Sequence, residues 1–254
     1  MLRENENSKA APTPPASIDT FVHNISSDEL LRAAANPALT EDLALSLLSR
    51  PDLSAEVLQT LSKNGHVLKL RKVKLALAVH PHTPRQVSVP LIRQFYTFDL
   101  MNIALTPSVP TDVKVAADDI MVSRLKTVTL GERLALARRG SGRIAGAMLL
   151  DGDARVMQIA LENARLTETY VVQAVLRLEA KSVLVQSVAH HAKWSYRREV
   201  RIALLRTEYL SLARALEFSH GLPGPLLREV LNSSRLTARI KEQVLRENQS
   251  RSAF

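Results

Sequence analysis

The stretch RIALLRTEYLSLARAL, Arg201–Leu216, opens on an Ile-Ala-Leu tripeptide that the chain uses again and again. Leu-Ala-Leu or Ile-Ala-Leu stands at Leu43-Ala44-Leu45, Leu75-Ala76-Leu77, Ile103-Ala104-Leu105, Leu134-Ala135-Leu136, Ile159-Ala160-Leu161 and Ile202-Ala203-Leu204. On a helical wheel of about 100° per residue, the two large side chains flank the alanine and make a broad apolar arc centred on it. A small residue at that centre admits a second helix closely, and its neighbours fill the adjoining grooves. Successive alanines are separated by 32, 28, 31, 25 and 43 residues, the last gap reading as one degenerate unit around VLVQSVAHHAKW. Self-similarity at a loose period of about 20–50 residues marks stacked repeats, because one unit cannot bury its arc alone. The expected fold is therefore all-α: a curved α-solenoid of two-helix units, with about 14–16 short helices.

Stop and cap signals between the apolar stretches support the same division. Asn36-Pro37 ends one stretch, and Thr40 with Glu41 and Asp42 suits the start of the next. Pro51 with Ser54, Pro81 with a Thr83 cap, Pro84 and Gln86, and Pro107 with Pro110 repeat the device. Ser26 and Glu29 have capping-box spacing and mark the expected onset of order. Residues 1–25, with Pro12, Pro14 and Pro15, bury too little apolar surface to offset ordering entropy and read as a flexible tail. A single solenoid domain is expected over 26–247, with a short C-terminal tail over 248–254. No window alternates with period two, so strands are not expected.

KLALAVHPHTPRQV (74–87) and NIALTPSVPTDV (102–113) resemble the leucine-rich repeat variant, a HEAT-like α-solenoid family. Its units carry an Arg-x-Ala-x-Ala-x-Asn-Pro-x-Thr-Pro pattern. The resemblance covers about 36–113 and fades to periodicity alone beyond. It implies a repeat fold and says little about function. An iron–sulfur cysteine cluster found in some members has no counterpart, because this chain has no cysteine.

Lack of cysteine also excludes disulfides, thiolate nucleophiles and Cys-ligated zinc. The N-terminus has charges and prolines but no apolar core of a signal peptide, and no run of about 18 apolar residues occurs, so a cytoplasmic protein without membrane insertion is expected. His80-Pro81-His82 has no carboxylate within ten residues and reads as a solvated turn rather than a metal site. Asp151-Gly152-Asp153 reads as an acidic helix start, and His190-His191 as surface or partly packed. Phosphate-loop, nucleophile-elbow and zinc-protease motifs are missing. RRGSGR (138–143) is compatible with a phosphate cradle but reads better as a helix stop. Trp194, amid KWSYRREVR, fits either packing at a weak repeat or stacking on a base.

Charge stands above this background. Net charge is +9, and residues 57–98 hold seven Lys or Arg and no Asp or Glu. A basic surface draws nucleic acid, anionic lipid or acidic protein. Positions two and five before the tripeptide alanine fall opposite the apolar arc, giving Arg71/Lys74, Arg155/Gln158 and Arg198/Arg201 as a basic column, with Leu130/Arg133 and Asp99/Asn102 in the same register. The candidate macromolecule-binding residues are Lys69, Arg71, Lys72, Lys74, Arg133, Arg138, Arg139, Arg143, Arg155, Arg197, Arg198 and Arg201. The expected function is a non-catalytic scaffold or adaptor, without metal or cofactor, that binds a protein or peptide partner, acidic in character. A nucleic-acid-binding solenoid using phosphate contacts is the alternative. A HEAT-like DNA glycosylase is the enzymatic reading; it would need an acidic residue in an aromatic-lined site, and aromatics are only 4% of this chain.

Overall fold

The computed structural model describes residues 26–252, so the tail expected over 1–25 lies outside the described residues. Among the described residues the chain is all-helical, without strands. The helices are α1 Ser27–Ala35, α2 Glu41–Leu48, α3 Ala55–Leu61, α4 Arg71–Val79, α5 Arg85–Ile92, α6 Thr97–Leu105, α7 Thr111–Arg124 and α8 Leu130–Arg139. They continue as α9 Gly142–Met148, α10 Ala154–Leu161, α11 Glu168–Leu176, α12 Ser182–His190, α13 Arg198–Leu205, α14 Leu212–Ser219, α15 Gly224–Asn232 and α16 Ala238–Ser252. A 3-10 turn, Val67–Lys69, precedes α4. The last helix runs to Ser252 and so takes in residues 248–252 of the expected C-terminal tail.

Thr40, Ser54, Ser141 and Ser211 cap α2, α3, α9 and α14 through their hydroxyls, and Asp153 caps α10 through its carboxylate. Thr129 and Glu132 form a reciprocal capping box at α8. Two expected caps differ. Ser26 occupies the N-cap of α1 without a side-chain capping bond. Thr83 turns back to donate to the Leu77 carbonyl at 2.6 Å, which leaves Pro84 as the N-cap of α5.

The periodicity reads as one domain over 26–247; the packing resolves into two compact units. Among the described residues, one holds 26–99 together with Thr106–Lys114, the other Leu100–Leu105 together with 115–252. In the first unit α1 packs on α3, and α2 on α4. In the second, α8, α10 and α12 pack in one row, while α9, α11, α13 and α15 pack in another. In these pairs and rows a helix meets the next but one in sequence, whereas α5 packs on its neighbour α4.

The tripeptide alanines do not all sit at the packed centre. Ala44 and Ala160 are fully buried and Ala203 nearly so, as the wheel requires. Ala76 and Ala135 are only half-buried; Ala78 and Ala137, two residues on, take the buried place. In Leu75–Ala78 and Leu134–Ala137 a second alanine lies within the same turn, and the helix rotates to bury that one. The sixth tripeptide also changes row: Ala160 lies on α10, and Ala203 on α13, which packs with α11 and α15. The gap of 43 residues therefore holds one further helix pair, α11 and α12, and the step from α10 to α13 is three helices, an odd number.

Buried polar side chains tie successive turns together. Asn64 Nδ2 donates to the carbonyls of Ala34 (3.0 Å) and Asn36 (2.9 Å), while its Oδ1 accepts the His66 N–H. Asn163 repeats this in the second unit with Ala137, Gly140 and the Arg165 N–H. Ser234 Oγ donates to the Leu205 carbonyl and accepts the Leu236 N–H. Each link joins a helix end to the end of a helix some 23–30 residues earlier, supplying donors to carbonyls that a terminating helix leaves orphaned.

Candidate macromolecule-binding surface

In the first unit, the four candidate cations surround the start of α4. Lys69 and Lys72 are exposed and carry no ion pair among the described residues. Arg71 Nη2 donates to both carboxylate oxygens of Asp99, at 2.7 and 2.6 Å. Asp99 therefore does not lie on a solvent face as its wheel position implied; it is 8% exposed and fixes Arg71. The carboxylate raises the Arg71 guanidinium above its ordinary value, chiefly through the hydrogen bond. The same guanidinium lies 5.2 Å from the centroid of Tyr96. Lys74 is half-buried and its Nζ donates to Gln94 Oε1 at 3.1 Å. Lys69, Arg71, Lys74, Gln94, Phe95 and Tyr96 line a notch of about 170 Å³.

The second unit distributes its candidates over both rows. Arg133 on α8 grips Asp151 with bonds of 2.6 and 2.8 Å, the carboxylate side chain being 8% exposed. Arg155 on α10 is exposed and paired with Asp153, whose carboxyl it pulls down to about 2, largely by the side-chain hydrogen bond. Arg143 on α9 pairs with Asp119. Arg201 on α13 donates through Nε to the Ser195 carbonyl at 2.6 Å and lies between the rings of Tyr196 and Phe218. Arg138, Arg139, Arg197 and Arg198 are exposed, with no ion pair among the described residues. Because Arg133 and Arg155 belong to one row and Arg198 and Arg201 to the other, these cations do not form the single column their wheel positions suggest.

The remaining chemical candidates are structural. His80 is 5% exposed, its Nδ1 accepts the His82 N–H, and its Nε2 lies 2.9 Å from the Arg50 carbonyl. Both ring nitrogens are thus engaged by backbone, which replaces the solvated-turn reading with a buried link between turns. His191 is used alike: Nδ1 accepts the Lys193 N–H and Nε2 meets Glu162 Oε1 at 3.0 Å. Trp194 is 2% exposed and donates Nε1–H to the Leu161 carbonyl, so its ring faces the core and not a ligand. In the RRGSGR segment, Ser141 donates to both oxygens of Asp118 at 2.9 Å. A β-carbon at Gly142 would stand 2.4 Å from the Arg165 carbonyl, so this glycine serves close helix approach. Among the described residues no group of three or more His, Asp or Glu side chains converges to hold a metal. No described helix is long and apolar enough to cross a membrane.

Residue-type reasoning missed Tyr96, Phe98, Gln94 and the two asparagines. RQFYTF (93–98) carried one usable signal, three aromatics next to a basic stretch, between the end of α5 and the first turn of α6. No protein-family model matches the chain, and searches of curated proteins and of solved structures return no match.

Proposed function

We propose that the chain is a non-catalytic α-solenoid scaffold, each unit a stretch of stacked two-helix repeats, that binds a protein or peptide partner on its repeat surface. The next-but-one helix packing and the recurring Asn64, Asn163 and Ser234 links support the repeat reading. One observation carries the choice of partner: all five candidate arginines outside the exposed pairs 138/139 and 197/198 are engaged internally, four by carboxylates and Arg201 by the Ser195 carbonyl. Arg71, Arg133, Arg143 and Arg155 each hold a carboxylate of this chain. A phosphodiester backbone needs a run of unpaired cations along its path and meets repulsion from each such aspartate. Discrete stations of charge separated by neutral surface suit a folded or extended polypeptide better. The nucleic-acid reading keeps Arg138, Arg139, Arg197 and Arg198 as its support.

Affinity capture from native lysate, with and without nuclease, tests the choice. A stoichiometric protein partner that survives nuclease and about 150 mM salt is expected, together with no retained nucleic acid. Capture that collapses on nuclease treatment, with direct binding to DNA or RNA at that salt, would replace this reading with the nucleic-acid one.

A further inference from the structure

We propose that the notch of Lys69, Lys74 and Tyr96 in the first unit is the docking point for an acidic peptide segment. The segment's carboxylates lie against the two ammonium groups, and an adjacent apolar side chain rests on Tyr96. This assignment rests on the reading of the chain as a peptide-binding scaffold and names the chemistry of the partner.

Charge is the first argument. Seven cations and no acid stand within 57–98, and the acid that does arrive, Asp99, engages Arg71 alone. Helices α1, α2, α3 and α8 carry acidic residues in the first turn, which complements the helix dipole. The start of α4 has Lys69, Arg71 and Lys72 instead, and no acid. Asp99 compensates Arg71, whereas Lys69 and Lys72 hold no carboxylate among the described residues, which leaves positive charge that the carboxylates of a ligand can meet.

Exposed aromatic surface is the second argument, independent of charge. In a chain with few aromatic residues, Trp194, Phe218 and Phe95 are buried, whereas Tyr96 is 71% and Phe98 46% exposed, and Tyr96 lines the notch with Lys69 and Lys74. Tyr96 is held rather than loose, since the Asp99-clamped guanidinium of Arg71 lies over its ring. The Gln94 amide likewise fixes the Lys74 ammonium. The notch is pre-organised, which lowers the ordering cost of binding. A peptide is favoured over a nucleic-acid strand because the Asp99 carboxylate borders the site through Arg71 and repels a phosphate backbone. Tyr and Arg, here Tyr96 with Arg71 over its ring, are among the residues that dominate binding at the centres of protein interfaces.

Fluorescence anisotropy of the full chain decides it, using a short labelled peptide of Glu-Glu-Leu repeats, its Gln-Gln-Leu counterpart and a labelled oligothymidylate of similar length. The acidic peptide should bind, and the other two should bind about tenfold or more weakly. Lys69→Glu/Lys74→Glu should abolish binding of the acidic peptide, and Lys69→Gln/Lys74→Gln should weaken it about tenfold. Tyr96→Ala should weaken it several-fold with helicity unchanged, while Arg197→Glu/Arg198→Glu should leave it intact. Failure of the acidic peptide to bind, undiminished binding by the Gln double variant, or tighter binding of oligothymidylate overturns the assignment. If lysate capture succeeds equally with the Lys69→Gln/Lys74→Gln variant, the notch is wrong and the scaffold reading stands. If wild type retains no protein at all, the scaffold reading itself fails.

Discussion

Asn163 reaches back 26 residues to Ala137: its Nδ2 donates to that carbonyl at 2.8 Å, from a side chain only 3% exposed. The bond belongs to neither residue's own helix. It joins the segment after α10 to the last turn of α8, and Asn64 makes the equivalent tie between α3 and α1.

Asn163→Ala should therefore destabilise the second unit by about 1–3 kcal/mol, because the Ala137 and Gly140 carbonyls and the Arg165 N–H lose a buried partner together. Urea unfolding followed by circular dichroism measures it. Asn64→Ala should act alike in the first unit. A midpoint unchanged from wild type in both would mean that water replaces the amide at no cost.

Ala160→Leu should overpack the contacts of α10 with α8 and α12 and cost about 1–3 kcal/mol. Ala76→Leu and Ala135→Leu, at half-buried sites, should cost clearly less. Equal losses at all three would show that the tripeptide, and not the observed burial, fixes the close contacts.

Two glycines give opposite forecasts. Gly142→Ala drives a β-carbon into the Arg165 backbone and should destabilise by on the order of 1–3 kcal/mol. Gly131, inside α8 with open space where its β-carbon would lie, should gain about 0.5–1 kcal/mol on replacement by alanine. Thermal melts of the two variants should move in opposite directions.

The all-helical class was legible in the chain because apolar periodicity, prolines and cap residues are local signals, readable within one turn. The asparagine ties were not, since Asn64 and Asn163 act on carbonyls 23–30 residues away and nothing in their immediate surroundings marks them. The basic surface was half legible. A wheel gives each cation's angle on its own helix, and on that ground Arg155 and Arg198 face solvent as expected. It is blind to the row in which the helix packs, which separates Arg155 from Arg198. It is equally blind to a carboxylate from another element, which claims Arg71 through Asp99 and Arg133 through Asp151.

Asp118 supplies a prediction in pH. Burial pushes its carboxyl above the ordinary carboxylate range, while the Ser141 hydroxyl and the charge of Arg143 work in the opposite direction and the neighbouring Asp119 adds to the rise. Between the unfolded value of about 3.9 and the raised folded value, the native state binds the proton more tightly than the unfolded chain does. Native stability contributed by this group is therefore full below that window and falls as pH climbs through it. Asp118→Asn keeps an oxygen to accept from Ser141 and cannot ionise. The melting temperature of Asp118→Asn minus that of wild type should rise as pH goes from about 3.5 to about 7, then level off. Arg143→Gln in the wild-type background should steepen wild-type loss over the same range, because it removes a charge that favours the carboxylate. A difference that shrinks with pH would show instead that the Ser141 bonds and Arg143 outweigh burial, and that Asp118 supports the fold as an anion.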